Sequence, residues 1–260
     1  FGYDSTDGTC PTDNLYRIIG VFGDEVKLIK YDYAKASLLG TDGDYFIIYG
    51  IRFRDDTGTN KGTNTLDEIG AYYWNLARNL SIKNVWSTSL LNKTNLNSNF
   101  TTKIGTTWSN KIATTTWKVG GNTYANIKNT TVSNAYKNEI TTPATNTTVN
   151  AKVGLMYVSD YMYAASPTYW TLVGNDSSDA TKDYRTAIND NWMYMGLYEW
   201  TITPCTDYGN AAFDIKSTGN VSFSAVNELV GAIRPVFSLG SSVTYASGSG
   251  TQDSPILITD

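Results

Sequence analysis

The stretch NWMYMGLYEWTITP, Asn191 to Pro204, sets one carboxylate, Glu199, among two tryptophans, two tyrosines and two methionines. A carboxyl group in such surroundings is the kind that enzymes use for general acid work, but that chemistry needs a second carboxylate or base, and the sequence places none. The chain has no histidine, which removes the commonest general base, proton shuttle and metal ligand together. Its two cysteines, Cys10 and Cys205, stand far apart and outside any C-x-x-C spacing, which excludes a zinc site or a thioredoxin-like pair. They either bridge the N-terminal segment to the C-terminal half or remain two buried thiols. The Asp-rich runs GTDGD and GNDSSDATKD lack the ligand spacing of a calcium loop and read as turns. No catalytic residue, metal or cofactor is expected, and Glu199, Trp192, Met195, Tyr198 and Trp200 read as core and corner packing.

A chain of 260 residues is long enough to bury a sizeable core as one domain, 1–260. A net charge of −4 with no cluster of Lys and Arg argues against a nucleic-acid partner. No apolar run reaches membrane-spanning length, and the first residues lack the order of a signal peptide. With 13% aromatic residues against 17% charged ones, the remaining polarity rests on Asn, Thr, Ser and Gly, the profile of a loop-rich β protein.

The elements that would position these residues begin with NLYRIIGVF and EVKLIKYD, two β-rich runs divided by Gly23-Asp24, a hairpin signal. DYFIIYGIRF is a further strand, and RDDTGTNKGTN a loop. TLDEIGAYYWNLARNL carries apolar residues at Leu66, Ile69, Tyr73, Leu76 and Leu80 with early acids, which predicts a helix. WSTSLLN and WSNKIAT predict two short helices behind a serine cap. The polar segment 120–150, with one weak helix at VSNAYKNEI, reads as a surface insertion, and KVGLMYVSDYMYAA as returning strands. YEWTITP, AAFDIKSTGNVSFSAVN and GAIRPVFSL supply strands in the C-terminal third. The composition of elements is α+β, with short strands, a few short helices and long polar loops.

The order of GLMYVSDYMYAA, NWMYMGLYEWT, a Gly-containing hairpin and GAIRPVFSL resembles the C-type-lectin fold in its formylglycine-generating-enzyme-like branch. Met195, Gly196, Glu199 and Trp200 match that branch's Met-Gly-x-x-x-Glu-Trp motif, and Gly231, Ile233 and Arg234 match its closing Gly-Phe-Arg strand loosely. The resemblance extends to variable surface proteins diversified by retroelements, and NLYRIIGVF, VKLIK and the C-terminal RPVFSLGSSVTYASGSGTQDSPILI are similar to bacterial pilin-like surface proteins. It implies a structural set of Trp192, Gly196, Glu199, Trp200, Gly231 and Arg234, with Glu199 held by backbone or Arg partners. Catalysis is not implied: neither cysteine sits in a version of the copper site of that branch, and its Arg-Gly-Gly-Ser-Trp strand is missing. The Glu-Pro-Asn, Gln-Pro-Asp and Trp-Asn-Asp motifs of calcium-dependent sugar binding are also absent.

Within segment 191–239, Asp207, Tyr208, Asn210, Asp214, Lys216, Asn220, Ser222, Ser224 and Asn227 interrupt apolar positions such as Phe213, Ile215, Val221, Phe223 and Val226. That alternation predicts a hairpin with one buried side and one exposed, ligand-binding side built from residues favoured in adaptable paratopes. The expected function is a secreted or cell-surface binding protein for a protein or glycan on another cell or phage, with a structural appendage subunit as the alternative and an enzyme third.

Overall fold

The computed structural model describes residues 12–46, 58–76, 81, 83–175, 179–228, 230–251 and 253–259. Helices and strands alternate along it in an α+β arrangement of small sheets around one large core. The predicted hairpin is present as β1 (Tyr16–Phe22) and β2 (Glu25–Lys30), antiparallel, with a register shift between Ile18 and Gly20. β2 then pairs with β11 (Val236–Ser238), and β11 with β6 (Val153–Gly154), so the first hairpin is completed by strands from distant parts of the chain. Ile29 and Val236 on one face and Val153 and Phe237 on the other are fully buried, so this sheet is covered on both sides.

A second sheet has the order β7 (Glu199–Pro204), β8 (Ala211–Ile215), β9 (Val221–Ala225), as the C-terminal strand pattern predicts. Two-stranded ladders complete the set: β3 (Tyr72–Tyr73) with β10 (Val230–Gly231), β4 (Thr115–Lys118) with β5 (Thr148–Ala151), and β12 (Thr244–Ser247) with β13 (Leu257–Thr259).

The predicted helix over 65–80 does not form. Thr65 and Glu68 instead close a turn, the Glu68 carboxylate accepting from the backbone N–H and hydroxyl of Thr65 at 3.0 Å each. The chain then runs extended so that Tyr72 and Tyr73 pair with Gly231 and Val230. Residues 77–80 of that stretch and most of DYFIIYGIRF lie outside the described residues.

The strand expected in KVGLMYVSDYMYAA is only β6, after which Val158–Tyr163 is helical. The caps explain it: Asp160 Oδ2 accepts from the Tyr157 N–H at 2.8 Å, and the Glu139 carboxylate accepts from the N–H groups of Val158 (3.0 Å) and Ser159 (2.9 Å), satisfying first-turn donors. Glu139 also takes the Thr203 hydroxyl. Within segment 120–150, read as a surface insertion, Ile127, Val132, Ala135 and Glu139 are buried in the core, while most of 141–148 is exposed.

Both Trp-Ser segments hold helical turns, but neither expected serine caps one: Ser87 lies within Trp86–Thr88 and Ser109 within Thr106–Lys111. Trp86–Thr88 forms a 3₁₀ turn leading into Leu91–Phe100, a run of wide, π-type turns, and Thr106–Lys111 holds the second. The cap of the first is Ser89, whose hydroxyl accepts from the Asn92 N–H at 3.2 Å and donates to Trp74 O at 2.6 Å. Among the described residues no helix is long and apolar enough to cross a membrane.

Candidate functional site

The aromatic stretch of 191–204 is core for most of its length. Met193, Tyr194, Met195, Leu197, Tyr198 and Trp200 are buried, and the Trp200 indole N–H donates to Tyr72 O at 3.0 Å. Glu199 is held as the resemblance implies, in a buried bidentate pair with Arg234: Nε to Oε1 2.8 Å and Nη2 to Oε2 2.9 Å. Burial pushes the Glu199 carboxyl above its usual range and the guanidinium opposes that, so the pair persists through its geometry. Arg234 Nη2 also donates to Met193 O at 2.6 Å. Two glycines are needed for close approach: a Cβ on Gly231 would meet Trp200 Cδ1 at 2.8 Å, and Gly196, at φ +91, would meet Thr59 O at 1.9 Å.

The nine expected ligand residues do not form one exposed face. β8 is the middle strand of its sheet and all five of its residues are buried, so the one-sided hairpin expected for 211–225 becomes a strand covered on both faces. Asp214 and Ser224 are buried, and Lys216, Asn220, Ser222 and Asn227 are half-buried; Asp207, Tyr208 and Asn210 are exposed, in the turn between β7 and β8.

The buried members form an internal polar cluster. Lys216 Nζ donates to Ser224 Oγ at 2.8 Å, Ser224 Oγ lies 2.5 Å from the Tyr198 hydroxyl, and the ammonium sits 4.0 Å from the Tyr198 ring centroid. Asp214 Oδ1 is 3.2 Å from Lys216 Nζ, yet neither carboxylate oxygen makes a hydrogen bond. Burial, opposed by the Ser224 hydroxyl nearby, lifts the Asp214 carboxyl well above the usual carboxylate range.

The exposed turn is fixed from below. Asn84 Nδ2 donates to Cys205 O (2.8 Å), Tyr208 O (2.9 Å) and Ala211 O (2.9 Å), and Asp207 Oδ2 accepts from the Tyr124 N–H at 2.6 Å. The Tyr208 ring lies parallel to Phe223, centroids 4.9 Å apart at 9°, and Tyr124 meets Phe223 edge-on at 4.6 Å. Cys205 beside this turn is a buried free thiol, burial pushing it up to about 11; Cys10 lies outside the described residues, so the expected bridge is not part of this structure. Among the described residues no group of three His, Cys, Asp or Glu could hold a metal ion.

Trp192 packs against the core, but only in part. It is half-buried and lines an open groove of about 310 Å3 together with Phe22, Tyr136, Asp160, Tyr163 and Trp170. These residues come from five separate segments, and no linear pattern joins them.

A comparison with family models, curated proteins and solved structures finds no match.

Proposed function

We propose that this chain is an extracellular or surface-displayed binding protein whose ligand face is the turn between β7 and β8. The carrying observation is the exposed, parallel stack of Tyr208 on Phe223, on a turn pinned by three hydrogen bonds from Asn84. A rigid aromatic with polar neighbours, here Asp207 and Asn210, offers contact area at small entropic cost. The resemblance to variable surface proteins of C-type-lectin-like fold supports the same reading, with a protein or glycan on another cell or phage as partner. Among the described residues, every buried carboxylate but Asp214 is held by the fold. Asp32, Asp44 and Glu139 accept from backbone amides, while Asp160, Asp183 and Glu199 pair with Lys27, Arg185 and Arg234.

The test applies labelled parent protein and a Tyr208→Ala/Asn210→Ala variant to whole bacterial cells, phage particles and a printed glycan array. The reading expects a partner retained by the parent and lost by the variant at nearly unchanged melting temperature. Equal retention of that partner by both proteins removes this turn as the site.

One observation favours a structural subunit as the second reading. Among the described residues β1 is an edge strand, and Ile18, Val21 and Phe22 on it are exposed. Such an edge is a template for strand addition by a neighbouring subunit, although the irregularity between Ile18 and Gly20 blunts it. Concentration-dependent assembly abolished by Val21→Lys would favour this reading.

A further inference from the structure

We propose that the groove between β1 and the helix Val158–Tyr163 is a second binding site, separate from the Tyr208 turn, and that it takes a neutral pyranose ring. Its walls are aromatic and set at angles to each other. Tyr163 and Trp170 stand perpendicular, centroids 5.1 Å apart at 86°, and Tyr136 meets Tyr163 at 6.3 Å and 72°. Both indoles are anchored: Trp170 Nε1 donates to Ala165 O at 2.8 Å, while the Arg17 guanidinium lies 5.5 Å from the Trp192 ring centroid and donates to Trp192 O at 3.2 Å. Phe22 at 46% and Tyr163 at 39% exposure keep the groove open to solvent. Its volume, about 310 Å3, is at the lower end of small-ligand sites and suits one or two sugar rings.

The polar atoms select the occupant. Asp160 Oδ2 accepts from Lys27 Nζ at 2.5 Å and from the Tyr157 N–H at 2.8 Å, which leaves Oδ1 without a hydrogen bond at the groove wall. The carboxylate is neutralised but keeps an acceptor. The Tyr136 and Tyr163 hydroxyls and the Trp192 indole N–H also make no hydrogen bond to the described residues and can donate. Lys27 behind Asp160 and Arg17 behind Trp192 disfavour a cationic ligand, the Asp160 carboxylate disfavours an anionic one, and a purely apolar one dries Oδ1 without replacing its water. A pyranose satisfies all of these features. Its C–H faces lie on the electron-rich faces of the rings and its hydroxyls reach Oδ1 and the donors.

The experiment titrates methyl glycosides of glucose, galactose, mannose and N-acetylglucosamine, with tetramethylammonium as the cationic control, reading saturation transfer by NMR and tryptophan fluorescence. The proteins are the parent, Tyr163→Ala, Phe22→Ala and Tyr208→Ala. The proposal expects at least one glycoside to bind the parent, with about tenfold weakening in Tyr163→Ala or Phe22→Ala at an unchanged melting temperature and no weakening in Tyr208→Ala. Three results overturn it: no glycoside binding at roughly 10 mM, well above the weakest useful affinity; binding untouched by both groove substitutions; or tetramethylammonium in place of the glycosides. Should one groove variant unfold, the other carries the test.

Discussion

Arg234 grips Glu199 through two parallel hydrogen bonds, at 2.8 and 2.9 Å, with both side chains almost wholly removed from water. The pair ties the start of β7 to the loop that leads into β11, and through Met193 O to the aromatic stretch as well. Removing one partner strands a buried charge. Arg234→Met is expected to cost roughly 3–5 kcal/mol in urea unfolding, and Glu199→Gln a comparable amount. The double variant should cost clearly less than the sum, which a double-mutant cycle measures.

Glu139 serves the helix Val158–Tyr163 from another part of the chain. Glu139→Ala leaves the Val158 and Ser159 amides and the Thr203 hydroxyl without their acceptor. A loss of roughly 2–5 kcal/mol is expected, with hydrogen exchange at Val158 and Ser159 accelerated beyond the global change. Unchanged exchange there would separate Glu139 from the cap.

Asp214 makes stability depend on pH in the direction opposite to an ordinary salt-bridged acid. Burial raises its folded-state pKa, so the folded protein holds a proton that the unfolded chain releases above about pH 4. This group's contribution is therefore fully present below the unfolded value and is lost as pH rises towards the folded one. Asp214→Asn cannot ionise. Its stability relative to the parent should rise as pH climbs above about 4, the ordinary carboxylate range. A constant difference across that range would show that Asp214 stays ionised in the fold.

Cys205 is buried as a free thiol held up to about 11. Iodoacetamide at about pH 8 should leave its peptide unmodified in the native protein and modify it fully in urea without reductant, since the thiolate is the reactive form. A peptide that reacts only after reduction would instead establish the bridge to Cys10.

The hairpin of β1 and β2 and the strands of 199–225 are legible in the sequence because β-branched and aromatic runs meet turn residues at short range. The failures share a cause: a distant partner overrides a local pattern. Leu66, Ile69, Tyr73, Leu76 and Leu80 fit a helical period, but a Cβ on Gly70 would stand 2.3 Å from the Tyr72 ring, and Tyr72 pairs with Gly231. KVGLMYVSDYMYAA alternates like a strand, yet Glu139 supplies the cap that makes it a helix. Asp214 sits at a position whose alternation predicts exposure, and only the packing of the fold over both faces of β8 covers it. Of the groove, only Trp192 stands out in sequence, and its neighbours there are assembled by folding.

The sheet order β1-β2-β11-β6 also governs how the chain is made. During synthesis the first hairpin forms first, but the edge of β2 that β11 will cover stays open until residues 31–235 and then β11 itself have left the ribosome. A nascent chain therefore carries an unpaired, β-prone edge throughout that interval, and long-range closure of this kind is slow. Shortening the protein from its C-terminus past Val236 would leave that edge permanently open, yielding an aggregating fragment rather than a smaller version of the same fold.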